Sequence, residues 1–270
     1  LGIRPRQVDI RVWQGILRKM RRASREVVIA LVGKYIEHVD AYLSVEEAVK
    51  TAAAHLGARM VIRHVDAEGS RITALLKGVH GVIVPGGFGK RGIEGKIEAI
   101  RIAREKQIPL LGLCLGLQTA VIEFARHACK LRGAHSTEFD PRTPHPVIAL
   151  LPEQKKIVGL GGTMRLGASS ITLLPKTLVA SLYKKTKVAE RHRHRYEVNP
   201  LYHGRLEKKG MVFSGVTTKD RRLVEFIELP AHPFFVATQA HPEFKSRFLE
   251  PHPLFLGFVK AALRHAHGKV

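Results

Sequence analysis

The chain has 270 residues, 45% of them hydrophobic and 25% charged, so it can build a core and is not a disordered polymer. Lysine and arginine number 45 against 23 acidic residues, a formal net charge of +22. Its two cysteines exclude a disulfide framework and predict a cytoplasmic location, and no signal-peptide pattern or apolar run of transmembrane length occurs.

The first 26 residues are a basic segment that we treat as separate from the domain at 27–270. Residues 12–18 are typical of an amphipathic helix. The isoelectric point near 10.4 is compatible with nucleic-acid affinity, but no nucleic-acid motif or aromatic stacking platform accompanies it. We therefore expect neither a nucleic acid nor a membrane as partner, and assign the charge to an acidic partner domain or to nucleotide ligands.

From residue 27 onwards, strand patterns alternate with helix patterns. The strands are predicted at 27–32, 59–65, 81–84 and 109–113, and the helices at 44–56, 70–76, 93–105 and directly after 114. This alternation predicts an α/β fold of three layers, with a mostly parallel central sheet and helices on both faces. Residues 146–228 are less regular, and runs at 211–216 and 223–227 predict antiparallel strands there. A closing helix is predicted at 254–265.

The most informative motif is Gly-Leu-Cys-Leu-Gly at 112–116, between a predicted strand and a predicted helix. A cysteine at such a sharp turn projects from the sheet at the N-terminus of the helix, where the partial positive charge favours the thiolate. The small flanking residues allow the strained turn. Cys114 is therefore predicted to be a nucleophile, although cysteines beside leucine and glycine are more often ordinary core residues. Cys129, on or just past the same helix, is predicted to be core.

A base for this nucleophile is predicted near the C-terminus. His241 and Glu243 follow an apolar strand pattern, and residues two apart in an extended segment point the same way. Glu243 can then orient the imidazole of His241. The His-Pro dipeptide alone carries little weight, because it occurs at three other places in the chain.

A third element is the glycine-rich turn at 85–89, which follows the strand pattern at 81–84. Its amides, together with the N–H of Leu115, can form an oxyanion hole, whereas most such turns are only turns. Active sites of parallel sheets lie at the carboxyl ends of strands, where Gly87, Cys114 and His241 are all predicted to fall.

These pieces, in this chain order, resemble the class I (triad) glutamine amidotransferases, and within that family the glutaminase domains of CTP synthases. The strings that carry the closer resemblance lie at 32–35, 40–42, 85–89, 91–95, 136–140, 161–167 and 190–199. The resemblance extends from about 27 to about 265 and implies a flavodoxin-like fold.

The resemblance implies a role for each matching position. Cys114 is the nucleophile that releases ammonia from L-glutamine, His241 the general base and acid, and Glu243 the orienting carboxylate. No metal ligand is implied. Glutamine-binding positions are implied at Gly87, Leu115, Gly116, Leu117, Gln118, Glu138 and Arg195. A carboxylate and a guanidinium also suit the ammonium and the carboxylate of an amino acid.

The resemblance also implies a parent reaction larger than this chain. CTP synthases aminate UTP with ATP and Mg²⁺ in an amidoligase domain, whose phosphate-binding loop pattern does not occur here. We therefore expect that domain as a partner, with the basic segment at 1–26 as the linker or helix that comes from it. We also expect homo-oligomers such as tetramers, and GTP as an allosteric activator near Arg91, Glu94 and Arg165. Three alternatives stay open: the glutaminase of another class I pathway, a γ-glutamyl hydrolase and a non-catalytic assembly module.

Overall fold

The computed structural model of the chain describes residues 9–38, 40–151 and 164–268. Three sequence predictions fall partly outside them: the basic segment at 1–26, the irregular stretch at 146–228 and the string at 161–167.

Among the described residues, nine strands form the main sheet and three form a smaller one. The strands of the main sheet are β1 (Arg25–Gly33), β2 (Ala58–Asp66), β3 (Gly81–Val84), β4 (Leu110–Leu113), β7 (Arg165–Leu173), β8 (Lys187–His194), β10 (Val212–Thr217), β11 (Val224–Glu228) and β12 (Phe235–Thr238). The smaller sheet contains β5 (Ala134–Ser136), β6 (His145–Ala149) and β9 (Glu197–Val198).

The main sheet has the order β2-β1-β3-β4-β12-β11-β10-β7-β8. Its first five strands are parallel to one another, and the remaining four continue the sheet with antiparallel pairing. The parallel half brings the carboxyl ends of β3, β4 and β12 side by side at one edge. Since loops that follow adjacent parallel strands meet there, this order creates the position of the site.

Helices cover both faces of the parallel half. The α-helices of the described ranges are α1 (Arg11–Arg21), α2 (Leu43–Leu56), α3 (Ile72–Leu75), α4 (Ile93–Glu105), α5 (Leu115–His127), α6 (Leu178–Tyr183), α7 (His203–Lys208) and α8 (Pro253–His267). Short 3-10 helices lie at Pro200–Tyr202 and Pro242–Lys245.

The sheet separates two hydrophobic cores, because successive side chains of β1 point to opposite faces of the sheet. Ile29 and Leu31 pack with α2 and α8 on one face, and Ala30 and Val32 pack with α4 and α5 on the other. The strand is buried on both faces, which explains why its sequence is an unbroken apolar run rather than an alternating pattern.

The predicted α/β fold with a mostly parallel sheet and helices on both faces is confirmed, as are the antiparallel strands near 211–216 and 223–227. The helix predicted at 70–76 is shorter, because regular helix is confined to Ile72–Leu75. The amphipathic pattern at 12–18 corresponds to α1.

Helix α1 packs against the body of the domain. Ile16 is buried, the ring of Trp13 stacks on Phe248 with centroids 4.8 Å apart, and Lys19 donates to the carbonyl of His55. The boundary at residue 26 stays a prediction.

Candidate active site

Cys114 occupies a strained turn between β4 and α5. Its backbone has φ 51° and ψ −100°, a conformation that a residue with a Cβ adopts at a cost in free energy. The turn is held from the neighbouring strand, because the Cys114 N–H donates to the Thr238 carbonyl at 2.8 Å. A nucleophile elbow has this combination of strain and support.

The two glycines of the motif are required by close packing. A Cβ added to Gly116 would lie 2.2 Å from the Val84 carbonyl oxygen, and one added to Gly112 would lie 2.8 Å from the Cβ of Ala237. Both neighbours belong to adjacent strands, so neither can move without disturbing the sheet. Gly116 therefore lets α5 lie close to β3, and Gly112 lets the end of β4 lie close to Ala237 and to the first turn of α5.

His241 and Glu243 follow β12 and form a hydrogen-bonded pair. The His241 Nδ1–H donates to Glu243 Oε1 at 2.7 Å, and the side chains are only 15% and 5% exposed. Pro242 lies between them and begins the 3-10 helix. With Nδ1 engaged by the carboxylate, Nε2 is the nitrogen left for a hydrogen bond with Cys114.

The imidazole of His241 is held in its charged form. Burial lowers its pKa, but the hydrogen bonds and charges of Cys114 and Glu243 outweigh burial and raise the pKa to about 10. His241 is therefore an imidazolium at neutral pH. The histidine already holds the proton that a leaving amine needs.

The Cys114 sulfur lies at the wall of a cavity of about 800 Å³. The predicted positions that line it are Gly87, Cys114, Leu115, Gln118, Glu138, Arg195, His241 and Glu243. Leu115 is the first residue of α5, so its N–H has no acceptor within the helix. The cavity thus brings together the predicted nucleophile Cys114, the N–H of Leu115 and the His241–Glu243 pair.

Glu138 and Arg195 reach this cavity from different parts of the fold. Glu138 follows β5 of the smaller sheet, and Arg195 follows β8 at the end of the main sheet. Burial raises the pKa of Glu138, while a backbone hydrogen bond from Gly89 and the charge of Arg195 oppose that rise. Arg195 Nε is buried and has no hydrogen-bond partner among the described residues. The pair therefore offers an acceptor and an unused donor to a ligand.

Strand β8 curls back over the site. It lies four positions from β12 in the sheet order, yet the His241 N–H donates to the Arg191 carbonyl at 2.8 Å. The Arg193 carbonyl oxygen lies 3.9 Å from the Cys114 sulfur. The antiparallel half of the sheet therefore provides one wall of the cavity.

Three of the predicted glutamine-binding residues are placed differently from the others. Gly116 packs against Val84, and Leu117 is fully buried in the core, so neither lines the cavity. Both residues lie in the first turn of α5, where they pack against the sheet and the core and so hold the turn at Cys114 in place. Gln118 does line the cavity, but its Nε2 donates to the Tyr196 carbonyl at 3.1 Å and to Gln239 Oε1 at 3.3 Å.

Sequence reasoning missed two buried polar side chains near the nucleophile. Gln239 Nε2 lies 3.7 Å from the Cys114 sulfur, in hydrogen-bonding range for a thiol or thiolate. Lys96 is completely buried on α4 behind Gly87. Gln239 is marked in the sequence by its place two residues before His241, whereas no sequence pattern distinguishes Lys96 from a solvent-exposed helix lysine.

The three residues predicted to contact an effector do not line this cavity. Arg91 pairs with Glu68 at 3.2 Å, and Glu94 pairs with Arg126 at 2.7 Å, near the start of α4. Arg165 lies at the start of β7, and its guanidinium contacts Glu197 at 3.0 Å and Glu225 at 2.6 Å. Two buried carboxylates therefore already engage Arg165, so its guanidinium is not free for an effector in this conformation.

Arg165 is the centre of a buried ionic group that we call the Arg165 cluster, made of Arg165, His192, His194, Glu197 and Glu225. Burial raises the pKa of Glu225 to about 7 even though Arg165 lowers it. Burial, and then the charges of His194, Arg165 and His241, lower the pKa of His192 to about 3. His194 connects the cluster to the cavity, because it lines the cavity whereas Arg165 does not.

No helix in the part of the chain that the structure describes is long and apolar enough to cross a membrane. The same residues include no group of three or more histidine, cysteine, aspartate or glutamate side chains arranged to hold a metal ion.

Comparison with known proteins identifies the family. The sequence model of "Glutamine amidotransferase class-I" matches residues 37–261. The chain is 56% identical over 266 residues to a CTP synthase of Desulfitobacterium hafniense (strain Y51), covering 97% of this chain and 50% of that protein. It is 50% identical over 270 residues to a CTP synthase of Thermococcus gammatolerans, covering 99% of this chain and 51% of that protein. The chain thus spans about half the length of the curated relatives it matches.

A solved structure with the same fold is the glutaminase domain of Trypanosoma brucei CTPS with bound acivicin. It superimposes with a TM-score of 0.82 at 40% sequence identity, covering 87% of this chain and 93% of that one. A putative GMP synthase subunit of Thermoplasma acidophilum, at 14% identity and a TM-score of 0.53, shares the fold alone. The chain therefore belongs to the class I glutamine amidotransferase family, and within it to the glutaminase domains of CTP synthases.

Proposed function

We propose that this chain hydrolyses L-glutamine to L-glutamate and ammonia, with Cys114 as the nucleophile. The observation that carries the proposal is that Cys114 and the hydrogen-bonded pair His241–Glu243 line the same cavity. A nucleophile, a base and an orienting carboxylate in contact are the arrangement that acyl transfer through a covalent intermediate requires.

In the first step, the Cys114 thiolate attacks the side-chain amide carbon of glutamine. The carbonyl oxygen becomes an oxyanion, which the backbone N–H groups of Gly87 and Leu115 stabilise. His241, protonated before the attack, donates its proton to the amide nitrogen. The carbon–nitrogen bond then breaks, ammonia leaves and a γ-glutamyl thioester remains on Cys114.

In the second step, the neutral imidazole of His241 accepts a proton from water. The resulting hydroxide attacks the thioester carbon, the carbon–sulfur bond breaks, and the electron pair returns to sulfur as thiolate. The new carboxyl group loses its proton to solvent, glutamate leaves, and His241 is again an imidazolium. Glu243 keeps the ring orientation fixed in both steps, because its carboxylate accepts the Nδ1–H throughout.

Glu138 and Arg195 give the site its preference for a free amino acid. The α-ammonium of glutamine pairs with the Glu138 carboxylate, and the α-carboxylate accepts hydrogen bonds from Arg195. Support comes from the burial of Glu138 and from the buried Arg195 Nε without a partner in the described part of the chain. A γ-glutamyl residue inside a chain has an acylated α-amino group, so it lacks the ammonium and would leave the Glu138 carboxylate unpaired. This favours free glutamine over an internal γ-glutamyl residue.

The ammonia would serve the amination of UTP to CTP in a synthetase domain that the chain meets as a partner. That domain would bind ATP and Mg²⁺, and GTP would activate the glutaminase allosterically. The support is the identity of 50% and more to CTP synthases about twice as long as this chain. Arg91 and Glu94, both at the start of α4, are the effector candidates that the fold leaves near the surface. Assembly into homo-oligomers and a cytoplasmic location complete the proposal.

The test compares Cys114→Ala with Cys129→Ala, the chain's other cysteine, which is half-buried and outside the cavity. Glutamate release from L-glutamine is measured for each variant, with and without GTP and a separately expressed synthetase domain. We expect Cys114→Ala to abolish release and Cys129→Ala to retain it. Ammonia-dependent CTP formation by the complex should survive both changes. Glutamate release by Cys114→Ala at the wild-type rate would contradict the proposal.

A further inference from the structure

Lys96 is a buried lysine whose ammonium group makes no hydrogen bond to the described residues. The residue has no solvent exposure, and its Nζ atom is without a partner in the described part of the chain. Buried ammonium groups normally have hydrogen bonds or an opposite charge, because removing the charge from water is costly. The absence of a partner therefore calls for a reason other than stability.

The Lys96 ammonium lies directly behind the glycine-rich turn. A Cβ built on Gly87 would be 3.5 Å from Lys96 Nζ and 3.4 Å from Leu115 Cδ2. The group is thus next to Gly87, one of the two residues whose N–H groups serve the proposed oxyanion site. Lys96 is not among the residues that line the cavity, whereas Gly87 and Leu115 are.

The surroundings of Lys96 are mostly unfavourable to a positively charged side chain. Burial and the charge of Lys34 lower its pKa to about 8, while the charge of Cys114 raises it. Lys96 also lies in the first turn of α4, where the helix dipole is positive and disfavours a cation. The one favourable contribution comes from the nucleophile.

We propose that Lys96 is a positioning residue for catalysis, which supplies positive potential from behind the Gly87 peptide to the Cys114 thiolate and to the oxyanion. Its part in oxyanion stabilisation rests on the proposed glutaminase function, whereas its effect on the thiolate does not. A fixed positive charge in a water-free region is effective because little solvent screens it.

The first measurement is the alkylation of cysteine by iodoacetamide as a function of pH, quantified for each cysteine by peptide mass spectrometry. It compares the wild-type chain with Lys96→Met, which keeps the length of the side chain and removes the charge. Lys106→Met, an exposed lysine at the end of the same helix, is the matched control. Cys129 is an internal reference in every sample.

We expect Lys96→Met to raise the pH midpoint of Cys114 alkylation by about one pH unit, since a neighbouring charge acts on an ionisable group on this scale. The midpoint of Cys129 should not move, and Lys106→Met should match the wild type at both cysteines. An unchanged Cys114 midpoint in folded Lys96→Met would overturn the proposal. Lys96→Leu replaces the methionine variant if the latter does not fold, with the same expectation.

The second measurement separates kcat from KM for glutamine. Loss of stabilisation that acts only in the transition state should lower kcat about 10- to 100-fold and leave KM within about 2-fold. A rise in KM with unchanged kcat would overturn the oxyanion part. If the wild-type chain shows no glutaminase activity but the alkylation midpoint shifts, the proposed function fails while the action of Lys96 on the thiolate stands.

Discussion

The His241 Nδ1–H donates to Glu243 Oε1 at 2.7 Å, across a single proline and with both side chains largely buried. Two residues of one segment thus form the pair proposed as the base and its orienting carboxylate. Their relationship to Cys114, 127 positions earlier, depends on β4 and β12 being adjacent parallel strands.

Replacing Glu243 with glutamine should weaken the catalytic base and change its pH dependence. The carboxylate contributes to raising the pKa of His241 to about 10, so without it the imidazolium loses its proton at lower pH. We expect the alkaline limb of the kcat/KM profile for glutamine to move to lower pH, and kcat to fall about 10²-fold or more. Glu250→Gln, an exposed carboxylate nearby in sequence, should leave the profile unchanged. Coincident alkaline limbs for wild type and Glu243→Gln would contradict the pairing.

Arg195→Lys should weaken glutamine binding more than the chemical step. A lysine keeps the positive charge but loses the planar fork that holds a carboxylate with two hydrogen bonds. We expect KM to rise about 10-fold or more and kcat to change little, because the lost contact is made equally in the ground and transition states. Steady-state kinetics check this. Arg191→Lys, an exposed position of β8, should keep the wild-type KM, and an Arg195→Lys enzyme with that same KM would argue against the assignment.

Gly116→Ala should disrupt the elbow. The added methyl group would meet the Val84 carbonyl oxygen at 2.2 Å, and this oxygen belongs to a central strand that cannot move away cheaply. We expect a loss of at least about 3 kcal/mol in the free energy of unfolding, at the upper end of overpacking penalties. Gly15→Ala in α1 has no atom within 4 Å of the new methyl group and should instead stabilise by about 0.5–1 kcal/mol. Urea denaturation distinguishes them, and equal stability of the two variants would refute the packing argument.

Arg165→Met should destabilise the fold strongly. It would leave the fully buried carboxylates of Glu197 and Glu225 without their guanidinium partner, which costs about 3–5 kcal/mol in comparable cases. The pKa of Glu225, already about 7, would rise further, so protonation at lower pH should relieve part of the loss. The penalty should therefore be smaller at pH 5 than at pH 8. Arg221→Met, at an exposed position, should cost little at either pH. A penalty that grows on acidification would show that the carboxylates are not the cause.

Lys96→Met should stabilise the folded protein although it lowers kcat. The pKa of Lys96 is about 8 in the fold against an ordinary value of 10.5, so between these values the unfolded chain binds more protons. The free energy of unfolding of the wild type therefore rises with pH across this window, and the penalty of burying the ammonium is fully present below pH 8. We expect Lys96→Met to gain about 3 kcal/mol at pH 7 and nothing above pH 10.5. Denaturant titrations at several pH values check this.

Lys106→Met provides the control for that series, since its ammonium is solvated and its loss should not change the pH dependence of unfolding. A stabilisation by Lys96→Met that persisted unchanged at pH 11 would arise from packing and not from the charge.

The sequence by itself determined the parts of the site that depend on neighbouring residues. The elbow around Cys114, the His241–Glu243 pair and the alternation of strands and helices are local patterns, because backbone strain, side-chain period and turn chemistry are set within a few residues. Glu138 and Arg195 were identified only through the family resemblance. No local rule connects them to Cys114.

Only the tertiary structure decided which polar groups became buried and with what partners. Arg165 was expected near an effector, yet its guanidinium pairs with Glu225, 60 positions away. Lys96 lies in a helix whose sequence does not set it apart, but its ammonium is buried behind Gly87, and β8 closes over the cavity from the far end of the sheet. The free energy of a charge depends on the solvent and the charges around it, and in these cases the surroundings come from strands and helices distant in the chain.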